Sequence, residues 1–300
     1  MKILSKQAQE KAETYIVNNG RYIEKLLLEH WFYEPCPSKI SKALEMYQNK
    51  DGGYGNGLEP DFRMPFSSAV ATAIALGILK DINALNKKNP QVEKAIAYLC
   101  DTYNDAYKGW IPVPQHVNLY PHAPWWHQEK VEGEVDGNPS AELAGYLYVL
   151  KEDVTKLDIN QIVTYYLDRL KKIKTFEEHE LICYTKMYDV LPNNLNNQMT
   201  SSLIEGYHKL VNTNVSDWTS YVPYPLKFIS ITEKSIFPVT NEDLNTNLDY
   251  IVEHMEEAGV LSPTWKWNQY TDEWQIAERE WKGKLTLDHL LILKRFNRLE

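Results

Sequence analysis

Gln48–Leu79, QNKDGGYGNGLEPDFRMPFSSAVATAIALGIL, is the stretch that decides how this chain folds. Leu44 and Tyr47 continue an apolar stripe that begins near Ile40. Asp51-Gly52-Gly53-Tyr54-Gly55 then breaks any helix, because paired glycines reach backbone angles that residues with a Cβ resist. After Pro60 and Pro65, Ser67 and Ser68 can cap a new helix in which Ala69, Ala71, Ala73, Ala75 and Ile78 leave hardly any polar face. Such a helix is expected to be buried all round. Between turn and helix stand Glu59 and Asp61, two carboxylates on an irregular segment that leads straight into the core.

Upstream, Ala8, Ala12, Tyr15, Ile16, Ile23 and Leu27 predict one helix from about Ser5 to Leu28, weakened at Gly20, and Ser38 caps another to about Gln48. Downstream, a helix is expected from about Val92 to Tyr107, where Gly109-Trp110-Ile111-Pro112 interrupts. The longest irregular segment follows, VPQHVNLYPHAPWWHQEKVEGEVDGN over 113–138. Loops of that length in compact domains are usually functional or disordered, and the Trp, Tyr and His content argues against disorder. Asn138-Pro139 reads as cap and first-turn proline of a largely apolar helix over Ala141–Leu150. Helical patterns continue over Ile159–Leu170, Glu177–Val190 and Asn197–Val211. Thr240 opens a helix to about Ala258 with Gly259 as its C-cap, and a final helix is expected from Thr286. Breaks recur at Gly53, Gly109, Trp218 and Gly259, each ahead of a loop and a helix, and no alternating run predicts a sheet. The expectation is an all-α repeat architecture, with the all-round apolar helices in an inner layer and the Lys- and Glu-bearing ones outside.

Three hundred residues at 43% hydrophobic and 24% charged describe a globular chain with ample material for a core. A net charge of -9 repels phosphate backbones and anionic membrane surfaces, so neither nucleic acid nor membrane is an expected partner. No signal-type leader or apolar run of membrane-spanning length stands out, and Cys36, Cys100 and Cys183 form no CxxC pair. Reduced thiols in a cytoplasmic protein are the expectation.

At Gln48-Asn49-Lys50-Asp51-Gly52-Gly53-Tyr54 the chain resembles the repeat of the terpenoid cyclase and protein prenyltransferase superfamily, in which Gln, three residues, Gly, one residue and an aromatic close each outer helix. Ser67–Leu79 is similar to the small-residue inner helix of those repeats, and Gly109-Trp110 and the Trp265 region to degenerate copies. With GLEPD and YPHAPWW, the chain also looks like uncharacterised bacterial toroid proteins. The resemblance implies a single α/α-toroid domain over residues 1–300 with a central cavity. It carries over no terpenoid chemistry: the Asp-x-Asp-Asp acid, the Asp-Asp-x-x-Asp metal site and a zinc-binding Asp, Cys and His set are all missing.

Pro60 stiffens the link between Glu59 and Asp61 and projects the two acids differently, so in one cavity they could divide into acid and base. Otherwise Asp61 pairs with Arg63 and Glu59 bonds the turn. His116, His122 and His127 share the aromatic loop with Trp125 and Trp126, followed by Glu129, Glu132, Glu134 and Asp136; a His can act as base near neutrality and flat indoles can stack on a sugar ring. The His spacing is not that of a metal site, and no metal or cofactor is expected. Trp265, Trp267, Tyr270, Asp272, Glu273, Trp274 and Glu280 form a third aromatic and acidic cluster, expected on a loop. GxSxG, P-loop, GxGxxG and HExxH motifs are all missing.

These residues favour an enzyme using Glu59 and Asp61 as acid and base with His122 assisting, and Tyr54, Trp125, Trp126, Trp265, Trp267 and Asp272 holding a small neutral or carbohydrate-like substrate. A cyclase-like enzyme on an isoprenoid and a non-catalytic ligand- or peptide-binding scaffold are the alternatives.

Overall fold

A computed structural model describes residues 1–129, 133, 135–230 and 236–300. Those residues hold thirteen α-helices and no strand longer than an isolated bridge. In chain order the helices are α1 (Lys6–Asn19), α2 (Tyr22–Phe32), α3 (Pro37–Leu44), α4 (Ala69–Asp81), α5 (Pro90–Thr102), α6 (Ser140–Val149) and α7 (Ile159–Lys172). They continue with α8 (Glu178–Val190), α9 (Asn193–Asn196), α10 (Thr200–Leu210), α11 (Leu226–Ile229), α12 (Asn241–Ala258) and α13 (Thr271–Arg295). None of the described helices is long and apolar enough to cross a membrane. The fold is all-α. The chain divides into two compact units, one of Met1–Leu44, Asn212–Leu226 and Val239–Glu300, the other of Glu45–Val211 and Lys227–Pro238.

In the first unit, α1, α2, α12 and α13 pack around one core. Ala8, Ala12 and Ile16 repeat every four residues along α1 and meet Ile251, Val252 and Met255 of α12 and Leu287, Leu290 and Leu293 of α13. Gly20 splits the single helix expected over Ser5–Leu28, because its amide caps Ile16 while its own backbone turns extended. A Cβ on Gly283 would come within 3.0 Å of the Gly20 Cα, so the two glycines let the α1–α2 corner and α13 approach closely. The last helix starts at Thr271, fifteen residues before the expected Thr286, and Asp272, Glu273, Trp274 and Glu280 are therefore helical rather than on a loop. At α12 the expected caps are present: Thr240 Oγ1 accepts from the Asp243 amide, and Gly259 takes the left-handed conformation at φ +74°.

In the second unit, the Gln48–Leu79 stretch folds as read. Gly52 sits at φ +94°, the Asn49 amide donates to Gly53 O at 2.8 Å, and Gln48 Nε2 donates to Gly52 O and to Gln91 O, both at 2.9 Å. Tyr54 is fully buried and its hydroxyl donates to Gln91 Oε1 at 3.0 Å, so the turn is stapled to the start of α5. Ser68 Oγ accepts from the Ala71 amide at 3.1 Å and starts α4, whose Ala69–Ala73, Ala75, Leu76 and Leu79 are buried. In α6, Ser140–Leu147 are all buried, and a Cβ on Gly145 would lie 3.0 Å from Met187 Cα, which brings α6 close against α8. By contrast α5 and α7 bury one face each. The expected Asn138 cap and Pro139 first-turn position are displaced by one residue: α6 begins at Ser140 with Pro139 as its N-cap residue.

Candidate functional site

Two irregular segments of the second unit run antiparallel for a few residues ahead of α4. The Arg63 amide donates to Pro121 O and the Ala123 amide to Asp61 O, both at 2.8 Å, and Phe62 is bridged to His122. This pairing brings the Glu59–Asp61 segment against the aromatic loop. Phe62, Met64, Val70, Val113 and Val117 form the apolar cluster beneath it, with Tyr120 and Trp126 packed against them. Glu59, Asp61 and His122 are 7%, 4% and 3% exposed, a concentration of enclosed ionisable groups that apolar packing by itself does not call for. Glu59 Oε1 accepts from the Asp61 amide at 3.2 Å, which orients that carboxylate on the turn.

His122 Nδ1 lies 2.6 Å from Tyr120 O and therefore carries the proton that the carbonyl accepts. Its Nε2 lies 3.2 Å from Nδ1 of His127, an exposed residue whose ring stacks on it at 5.4 Å. The enclosed imidazole is thus in contact with a second imidazole that faces solvent. Around this ribbon lie exposed rings: Phe66 is 51% and Trp125 48% exposed, and Phe66 meets His116 and Tyr120 edge-on at 6.0 and 5.9 Å. Trp126 packs edge-on to Phe62 at 5.8 Å, and its indole Nε1 is enclosed with no hydrogen-bond partner among the described residues. Glu129 and Asp136 are exposed, whereas Glu132 and Glu134 lie outside the described residues.

The remaining expected site residues are placed differently. Tyr54 is fully enclosed in the turn described above. Trp265, Trp267 and Asp272 belong to the first unit. There Trp267 is fully buried against Trp274, Trp265 meets Tyr221 and Trp281 edge-on at 5.5 and 5.1 Å, and Asp272 is exposed in the first turn of α13. Trp265 Nε1 is enclosed and, among the described residues, without a hydrogen-bond partner. No group of three or more His, Cys, Asp or Glu among the described residues has the arrangement to hold a metal ion.

A second polar constellation of the same unit was not expected from sequence. Glu142 of α6 accepts from Lys186 Nζ of α8 at 3.0 Å on each oxygen, from the Tyr146 hydroxyl at 2.8 Å, and from Cys183 Sγ at 3.7 Å. Lys80 of α4 reaches Asp189 at 2.8 Å and Asp81 at 3.4 Å. Burial pushes the Cys183 thiol well above its ordinary range, with the Glu142 charge adding to it, so this cysteine is a poor nucleophile. The signal was present but unread: Glu142 is the one charge in the otherwise largely apolar Ser140–Val149 run. Comparisons of the chain with protein-family models, with curated proteins and with solved structures return no match.

Proposed function

We propose that this protein is an enzyme that performs acid/base chemistry on a small neutral, carbohydrate-like substrate at the ribbon of Glu59, Asp61 and His122. The carrying observation is the backbone pairing of 61–63 with 121–123, which sets the enclosed Glu59, Asp61 and His122 on neighbouring segments that also carry the half-exposed rings of Phe66 and Trp125. Rings of that kind suit the apolar face of a pyranose, and enclosed carboxyls suit proton transfer at a glycosidic or hydroxyl oxygen. Asp61 and Glu59 exchange the proton with the substrate, His122 and His127 pass it to or from solvent, and the Trp126 indole donates to a substrate oxygen. The α/α-toroid arrangement belongs to this proposal. The fully buried α4 and α6 beside the one-faced α5 and α7 support it, as does the glycine and aromatic repeat of the superfamily it resembles. The three free cysteines support a reducing, cytoplasmic setting.

A panel of neutral aryl glycosides and oligosaccharides, assayed with the wild-type chain, Asp61→Asn and Trp125→Ala, tests it. Turnover by the wild type should fall by about 10²–10⁴ in Asp61→Asn, the usual worth of a positioned acid or base, while Trp125→Ala should raise KM with kcat little changed. If no glycoside is turned over and no neutral sugar alters tryptophan fluorescence, the proposal fails.

A further inference from the structure

The last turns of α7, the loop over 173–175 and the first turn of α8, all within the second unit, border a pocket of about 390 Å³. Its lining is charged: Asp168, Arg169 and Lys172 from α7, Lys174 and Thr175 from the loop, and Glu180 from α8. The volume is that of a small-molecule site, and acid/base chemistry at Asp61 uses none of these residues.

Both acids of the pocket are already matched. Glu180 Oε1 accepts from the Gly137 amide at 2.7 Å and from Arg169 Nη2 and Nε at 3.2 and 3.3 Å. Asp168 is bonded at 3.1 Å to Lys171, which does not line the pocket. Lys172 and Lys174 have neither an ion pair nor a hydrogen bond among the described residues. Lys174 draws Glu205 at longer range, but Glu205 is held by Lys209 at 2.6 Å. The pocket therefore carries two positive charges with no counter-charge, in a chain whose total is -9. Basic residues in a last helical turn complement the helix dipole, which accounts for Lys171 and Lys172 but not for Lys174, two residues beyond the end of α7. Beside Glu180 lies Tyr184, fully buried, whose hydroxyl has no hydrogen-bond partner among the described residues. A Cβ on Gly137 would meet the Tyr184 ring at 2.8 Å and Glu180 Cγ at 3.1 Å, so ring and carboxylate stem stand side by side. Burial, and next the Glu180 charge, push the Tyr184 hydroxyl above its ordinary range, which keeps it a proton donor at neutral pH.

We infer that this pocket is a second binding site, for a small molecule that carries a phosphate monoester. That group bears about -1.5 to -2 charge at neutral pH and three strong acceptor oxygens, which matches the two unspent ammonium groups. Its oxygens also accept from the Thr175 hydroxyl and from the N–H groups of Arg169 that Glu180 does not use, since a guanidinium has five. A monocarboxylate leaves one ammonium unmatched, and a neutral sugar leaves both. The pocket is larger than phosphate itself needs, and Tyr165 and Ile173 line it beside the organic part. The net charge of the chain opposes long polyanions, but screening limits that repulsion to about 8 Å at physiological salt, within which the pocket's own lysines decide. The inference does not depend on the reading of the Asp61 and His122 ribbon.

Calorimetric titration of the full chain with glucose 6-phosphate, inorganic phosphate, acetate and glucose tests it. Both phosphates should bind, and acetate about tenfold more weakly or worse, the spread expected when one charge-assisted contact is lost. The double variant Lys172→Gln/Lys174→Gln should weaken glucose 6-phosphate by about tenfold or more while leaving the unfolding temperature near that of wild type, because both side chains are exposed. Lys156→Gln changes net charge in the same way at an exposed lysine before the other end of α7, and should leave the affinity within about twofold. No binding of glucose 6-phosphate, acetate binding as tightly as phosphate, or affinity insensitive to the double variant overturns the inference. So does an equal loss in Lys156→Gln, which would reduce the effect to net charge alone. Glucose 6-phosphate binding that survives the double variant and disappears in Trp125→Ala assigns the sugar to the ribbon and overturns it as well. Glucose binding that the double variant leaves unchanged, beside a weakened glucose 6-phosphate, supports it, and glycoside turnover in Asp61→Asn has no bearing on either result.

Discussion

Replacing Lys186 by Met removes the ammonium that both oxygens of Glu142 hold at 3.0 Å. Breaking a buried ion pair from one side typically costs about 3–5 kcal/mol, because the remaining charge is stranded away from water. Here the cost is reduced in two ways. Lys186 is 36% exposed, so solvent can approach the vacated position, and Tyr146 and Cys183 still donate to the carboxylate. The expected loss for Lys186→Met is therefore about 2–3 kcal/mol. Glu142→Gln keeps an acceptor for Tyr146 and should cost about 1–2 kcal/mol. With both changes no charge is stranded, so the double variant should lose no more than about 1–2 kcal/mol, leaving a coupling energy of about 2 kcal/mol. Urea unfolding of the four proteins, followed by circular dichroism with m compared across the set, measures the cycle. Additive single effects, or a Lys186→Met cost below about 0.5 kcal/mol, would refute the view that Lys186 is held chiefly by Glu142.

Gly259 ends α12 at φ +74°, and Gly259→Ala should destabilise the chain by about 1 kcal/mol, read as a lower thermal midpoint, because a Cβ resists that angle; the nearby atoms it would meet are the flexible Lys11 side chain and can move. The Glu177–His179 contact at 2.7 Å should give a pH-dependent contribution. Desolvation opposes ionisation of Glu177, but the hydrogen bond and charge of His179 and the Glu180 amide outweigh it and hold the carboxyl at about 2, while the Glu177 hydrogen bond raises His179. A lowered carboxyl stabilises above its unfolded range and loses that contribution as pH falls toward about 2; a raised imidazole stabilises below its unfolded range and loses it as pH rises through the folded value. Both side chains are half open, so His179→Ala should cost at most about 1 kcal/mol near pH 5.5 and almost nothing near pH 9, and equal costs at both would contradict the pairing.

The glycine turn, the Ser68 cap, the buried α4 and the Thr240 and Gly259 ends of α12 were all legible, since each depends on a residue and its near neighbours in sequence. Two of the misread stretches meet in the fold. Gly20 looked like a weak spot inside a helix and the last helix was expected only from Thr286, whereas the chain is broken at Gly20 and helical from Thr271 straight through Gly283. What reverses the local preference is the approach of the Gly20 backbone to Gly283, a contact between residues far apart in sequence.

The same division holds at the candidate sites. Residue type and spacing alone determined that acids follow the glycine turn, that imidazoles and indoles crowd the 113–138 segment, and that α4 has no polar face to offer water. Only tertiary packing decided that 61–63 would pair with 121–123, that Lys186 would find Glu142 across 44 residues, and that Lys80 would find Asp189 across 109. Turns and caps are set by the conformational freedom of a few adjacent residues. A charge pair between helices instead requires both helices to be docked in one register before attraction can act, and that register is fixed by apolar burial elsewhere along them.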